Sequence, residues 1–221
     1  MLKTDIDSIQ TIIAPGEKFD FVVVWNGDSC FNRFQSELPV TKFRALEPAT
    51  HDTIPFVLTD GNNIILKAVL NGTDSINLNF DSGSHFIHLI EDSIVKKTSL
   101  LANQPGVKNR TASPDFQKIQ RSNSLQVGNL KWDDLRVRPT KMGGQGSDGR
   151  ISWDIFYGRI IEINYDKNQF IVHSSMPAIP KGYSKFDLIF NGSFIHIEGD
   201  LILNGQKFKS RFLFDGGYQR S

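Results

Sequence analysis

A four-residue motif that occurs twice constrains this chain more than any other feature. Phe80-Asp81-Ser82-Gly83 closes one apolar run and Phe214-Asp215-Gly216-Gly217 closes another. Each run opens with an Asn-Gly turn, Asn71-Gly72 and Asn204-Gly205. The turns lie 133 residues apart and the aspartates 134, so the register holds to within one residue. An aspartate at the end of a buried strand carries a desolvation cost that chance does not favour. Two copies in register predict two lobes, each delivering one carboxylate to a shared site.

The rest of the chain reads as predominantly β. Phe19 to Trp25, Ile54 to Leu58 and Ile64 to Leu70 are rich in β-branched and aromatic residues and are bounded by Gly/Asn/Asp turns. Ile76, Leu78 and Phe80 alternate with polar residues and lead into Asp81. Glu91 to Ala102 predicts a short helix, and residues 103–123 predict a polar loop or hairpin. Strands follow at Leu125 to Leu130 and Leu135 to Val137, then a glycine-rich connection from Met142 to Gly149. A helical turn is expected at Trp153 to Tyr157, and a hairpin from Ile160–Tyr165 and Gln169–His173 around Asp166-Lys167-Asn168. Phe186 to Phe190, Phe194 to Leu203 and Phe208 to Phe214 then repeat the earlier pattern. The expected division is an N-terminal β-rich extension over 1–50, a first lobe over 51–174, a linker at 175–181 with two prolines, and the start of a second lobe over 182–221.

Composition excludes several function classes. The 221 residues suffice for one large domain or two small ones. The net charge of +1, with no Lys/Arg stripe, gives no footprint for nucleic acid. No apolar stretch reaches the length of a membrane span. The single cysteine, Cys30, cannot close an internal disulfide. Met1 to Gln10 is polar and lacks a signal-peptide core, so the protein stays inside the cell or has had a signal removed. The chain stops six residues after Asp215, whereas the first copy runs on to residue 174. It therefore reads as a piece of a longer protein.

Asp81 is the centre of the chemistry. Partial burial raises the cost of its charge, and a second carboxylate beside it makes two ionisations unfavourable, so the pair would share a proton. One member then acts as general base on a water while the other protonates a substrate carbonyl, and the titration belongs to the pair. Gly83 allows close backbone approach, and Ser82 can hydrogen-bond to the partner loop. A lone Asp-Ser-Gly is more often a plain β-turn. Here the alternating strand before it and the repeat in register argue against that.

These residues resemble the retropepsin-like aspartic proteases, in particular bacterial proteins with two such units in one chain. Asn71-Gly72 through Leu78-Asn79-Phe80-Asp81-Ser82-Gly83-Ser84 looks like the family's strand and catalytic turn. Leu125-Gln126-Val127-Gly128 with Leu135-Arg136-Val137 looks like strands after the flap. Asp148-Gly149-Arg150-Ile151 resembles the segment that packs beneath the active aspartate. The resemblance covers Ile54 to His173 and, for the second unit, Phe186 to Ser221 only. It implies a closed, barrel-like pepsin-type fold of two related lobes, with Asp81 and Asp215 catalytic and Ser82, Gly83, Gly216 and Gly217 supporting them. It also implies a flap over 103–120, an extended peptide or protein substrate, no metal or organic cofactor, and export to the periplasm or cell surface.

Three positions depart from the family pattern. Gly216 stands where the family has Thr or Ser, Ser152 stands where many members have glycine, and no tyrosine lies between Ser84 and Gly149. The first two keep a rival open, a non-catalytic β domain that binds peptide or protein. A homodimer is a third arrangement, in which Asp81 meets its partner from a second molecule. Other constellations are weaker. His85 and His88 with Glu91 and Asp92 do not share a forced face for a metal, and neither a Gly-x-Ser-x-Gly elbow nor a phosphate-binding Gly-Lys-Ser/Thr loop is present.

Overall fold

Alternation in the sequence becomes alternation in burial wherever a strand has a sheet on one face. In the strand ending at Phe80, Ile76, Leu78 and Phe80 are all buried. A computed structural model describes residues 2–3, 8–9, 17–35, 43–45, 51–109, 111–119, 122–144, 146–191 and 194–218. The backbone separates into two units, Met1–Pro39 and Val40–Ser221. In the first, β1 (Leu2–Lys3) pairs with β2 (Ser8–Ile9), and β3 (Lys18–Trp25) pairs antiparallel with β4 (Asp28–Gln35).

The second unit contains β5 (Phe43–Ala45), β6 (His51–Leu58), β7 (Ile64–Leu70), β8 (Asp74–Phe80) and β9 (Ile87–Ile90). Helix α1 (Glu91–Lys97) follows, then β10 (Asn123–Val127), β11 (Leu130–Leu135), β12 (Val137–Thr140) and β13 (Gly149–Ile151). After them come β14 (Ile160–Asn164) and β15 (Gln169–His173). These strands form one sheet in the order β12-β9-β13-β8-β7-β10-β11-β5, and β7 also pairs with β6, which leads on to β15 and β14. The core under the sheet includes Leu66, Leu78, Leu89, Leu125, Trp132 and Phe170. The Trp132 indole donates to Ile155 O at 2.8 Å, so its polar atom is satisfied in the interior.

One crossing decides what the site looks like. β8 and β9 are consecutive in the chain, yet β13 lies between them, parallel to β8 and antiparallel to β9. The connection carrying Asp81 therefore spans the end of β13, and Asp81 N donates to Ile151 O at 2.9 Å.

The chain is mostly β, and two expectations are corrected. The sheet is open among the described residues, not a closed barrel. β12 ends the path and contains Pro139, which has no N–H to offer a further strand. The helix stops at Lys97 instead of Ala102, because the Ser99 N–H and hydroxyl both bind Asp74 Oδ2, at 2.7 and 2.8 Å, and draw the chain away. Of the two forms expected after the helix, the described residues of 103–109 and 111–119 take the loop, with turns and a short 3₁₀ segment, Phe116–Lys118, and no hairpin. Gln104 and Asp115 clamp this stretch with two mutual hydrogen bonds, and Val107 and Ile119 are buried in the core.

A separate three-stranded antiparallel sheet carries the second motif: β16 (Ile189–Asn191), β17 (Phe194–Leu203) and β18 (Gln206–Leu213). Its strands are exposed except near Ile195. Both Asn-Gly turns have the same shape, with φ of 51° and 76° at Asn71-Gly72 and 51° and 78° at Asn204-Gly205. Positive φ at both central residues is the hairpin turn that Asn-Gly favours.

Candidate active site

Two loops of identical local design meet at one place. In the first, Gly83 N donates to Asp81 Oδ1 at 3.0 Å, and in the second Gly217 N donates to Asp215 Oδ1, also at 3.0 Å. Each carboxylate thus uses one oxygen to close its own turn. The loops also interlock through the absence of side chains. A Cβ on Gly83 would lie 2.5 Å from Asp215 Cγ, and one on Gly217 would collide with the Asp81 carboxyl. Glycine at both positions is what lets each backbone pass against the other loop's aspartate.

Ser82 is the principal brace. Its hydroxyl is buried, donates to Phe214 O at 2.9 Å and accepts from Gly216 N at 2.8 Å. The reciprocal hydroxyl is missing because residue 216 is glycine. Asn63 supplies a different tie: its buried side-chain amide donates to Gly216 O at 3.0 Å and Tyr218 O at 3.3 Å. Asn63 N in turn donates to Thr59 Oγ1 at 3.1 Å, so the β6–β7 turn holds the second loop.

The first loop has further support from β13 and the turn after it. The Ser152 hydroxyl donates to Ser84 O, which ties the turn after β13 to the first loop. Asp154 accepts from Phe86 N at 3.2 Å and fixes Phe86 at φ 63°, a left-handed conformation unusual for an aromatic residue. Arg150 Nε donates to Ser84 Oγ at 3.0 Å and lies 3.7 Å from Asp81 Oδ2.

Burial, then the charge of Asp215, pushes the Asp81 carboxyl above the usual range, although Arg150 and the Gly83 N–H act in the opposite direction. A hydrogen bond between the two carboxyls adds to the upward shift. Asp154 is also held up, by burial, against the pull of the Phe86 N–H and the charge of His85. The arrangement can hold one proton between two carboxylates, with a cation at its edge.

All six residues singled out in the sequence, Asp81, Ser82, Gly83, Asp215, Gly216 and Gly217, thus fall in this one cluster. Sequence reasoning missed Asn63 and Asp154. Asn63 directly follows the Asp60-Gly61-Asn62 turn, and a second Asn beside a turn was the available signal. No three His, Cys, Asp or Glu side chains group to hold a metal among the described residues. A cavity between α1 and the 3₁₀ segment, lined by Val95, Lys108 and Phe116 among others, includes neither aspartate. No described helix is long and apolar enough to cross a membrane.

No family model matches the sequence, and no curated protein matches it. Among solved structures, the basic 7S globulin from soybean aligns at a TM-score of 0.34 and 9% identity. The alignment covers 57% of this chain and 42% of that one, so this chain spans less than half of that protein's length. So slight a likeness carries no inference about fold or function.

Proposed function

We propose that the chain is an aspartic endopeptidase of retropepsin-like, pepsin-type design, hydrolysing peptide bonds with water activated between Asp81 and Asp215. The observation that carries this reading is the reciprocal packing of each aspartate against the other loop's glycine, with Ser82 bonded across both loops. A turn aspartate of purely structural use has no need of a second carboxylate at its side, because like charges in a half-buried place are costly. The ionised member takes a proton from water as its oxygen attacks the scissile carbonyl carbon. The protonated member gives its proton to the carbonyl oxygen. The tetrahedral gem-diol then collapses: one hydroxyl returns its proton to the ionised aspartate, the other aspartate protonates the nitrogen, and the C–N bond breaks to release the acid and the amine with the pair again holding one proton.

The substrate is an extended peptide or protein segment, and no metal or organic cofactor enters the reaction. One chain carries both aspartates, so a homodimer is not needed to complete the pair. Export of the protein rests on the family resemblance and is tested by cell fractionation. The rival reading, a non-catalytic peptide-binding domain, draws on Gly216, which leaves the second loop without its own hydroxyl brace.

Peptide-library cleavage from acid to neutral pH, with Asp81→Asn run in parallel, tests the enzyme. Cleavage that disappears in the variant supports it. A folded protein that cuts nothing at any pH sinks it in favour of the binding domain.

A further inference from the structure

Next to the aspartate pair, three basic residues stand in one row across three neighbouring strands. β12 pairs with β9 so that Arg138 faces His88, and β9 pairs with β13 so that His88 faces Arg150. Directly paired residues project from the same face of a sheet. Their sequence neighbours Val137, Ile87, Leu89 and Ile151 are buried in the core, so the row occupies the opposite face. β13 continues the row to β8, where Arg150 faces Asn79.

The row is short of acceptors and carries spare positive charge. Arg150 has the aspartate pair beside it, 3.7 Å from Asp81 Oδ2. Arg138 is exposed; its guanidinium lies 3.8 Å from the centroid of the Phe86 ring and pairs with no carboxylate among the described residues. Stacking on a ring occupies the face of a guanidinium and leaves the in-plane N–H groups free. His88 Nδ1 is buried without a hydrogen-bond partner, and in the tautomer that carries its proton there it can donate to an anion. Buried polar atoms rarely go unpaired without a reason. Burial, then the charges of Arg150, Arg138 and His85, holds the His88 imidazole down at about 4.

We infer that the Arg138–His88–Arg150 row is a substrate subsite that takes a carboxylate side chain flanking the scissile bond, so that the site selects acidic peptides. This rests on the endopeptidase reading for the position of the scissile bond. Arg138 and Arg150 start two strand spacings apart, about 10 Å, with His88 between them. A carboxylate above His88 is within reach of both flexible guanidinium groups and offers the acceptors the row lacks. Phe86, held in its left-handed conformation by Asp154, supplies the platform that keeps Arg138 aimed at this place.

Four peptides in which a hydroxyethylene group replaces the scissile amide provide the test, with Glu or Gln on one or the other side of that group. Binding to the full chain is measured by calorimetry at pH 6. Glu is expected to bind about tenfold tighter than Gln at one of the two positions, the scale of a charge-assisted pair. The preference should vanish in Arg138→Leu and Arg150→Leu and survive in Arg138→Lys, with circular dichroism reporting that each variant folds. Equal binding of Glu and Gln at both positions overturns the subsite. So does a preference unchanged in both Leu variants, or no binding by any of the four peptides. Cleavage of ordinary peptides without acidic preference removes the subsite and leaves the enzyme. Acidic preference without any cleavage does the reverse.

Discussion

The two copies of the motif share a turn but not a setting. Asp81 leaves a buried strand, β8, and its loop is held by Ile151, Ser152 and Arg150 from strand β13 and the turn after it. Asp215 leaves β18, whose residues are exposed from Gln206 to Leu213. The backbone of its loop is bonded to Ile195 within its own sheet, through Phe214 N at 2.8 Å, and to Ser82 and Asn63 from the first copy. The difference shows that local sequence suffices to shape an Asp-x-Gly turn, whereas its placement depends on contacts far along the chain. The second loop takes much of its support from the first.

The largest effect is expected from the carboxylates themselves. If they act as a pair despite their unequal settings, Asp215→Asn and Asp81→Asn lower kcat alike, by about 10³-fold, in a peptide-cleavage assay. A large difference between the two would break the symmetry. Next comes Gly83→Ala, whose methyl would lie 2.5 Å from Asp215 Cγ. Misplacing one carboxylate should cost about 10²-fold in cleavage while the melting temperature changes little. Activity close to that of the unaltered protein would mean that the loops do not need this contact.

Ser82→Ala removes two hydrogen bonds that tie the second loop to the first. A loss of about 2 kcal/mol is expected in denaturant unfolding, with protease nicking shifting toward residues 214–218. Asn63→Ala should act in the same direction. No loss from either would show that β17 and β18 hold their loop unaided.

Stability against pH distinguishes the basic row from the acidic pair. His88 has a folded value of about 4 against an ordinary 6.5, so the unfolded chain binds the extra proton between those values. Its contribution is present above pH 6.5 and is lost as pH falls toward 4. Asp81 and Asp154 are raised, so they oppose ionisation in the folded state and work with the opposite sign as pH rises. Melting curves of His88→Gln against the unaltered protein isolate the histidine, and the variant should lose less stability on acidification. An identical slope would mean that His88 is not held neutral. The smallest effect belongs to Gly216→Ser. Ser82 Oγ lies 3.4 Å from the added Cβ, an ordinary contact, and stability should change by no more than about 1 kcal/mol. A larger gain would show that the second loop needs its own brace.

Much of this was legible in the residues. Alternation located β8, the Asn-Gly pairs located both hairpins, and the repeat singled out Asp81 and Asp215. The helix end was misjudged because Asp74, distant in sequence, captures Ser99. The turn-rich stretch after the helix reads from its residues as either a loop or a hairpin; it is a loop, and Val107 and Ile119 are buried in the core. In both stretches side chains settle against partners which periodicity does not register.

The sequence by itself determined the strands and the two Asp-x-Gly turns, since period-two burial and hydrogen bonds spanning two residues are local matters. Only the tertiary structure decided that β13 passes between β8 and β9, that Asn63 reaches a loop 153 residues away, and that Arg150 comes within 3.7 Å of Asp81. These are pairings between distant segments, and their energy depends on which backbone groups lie opposite one another once the sheet has formed.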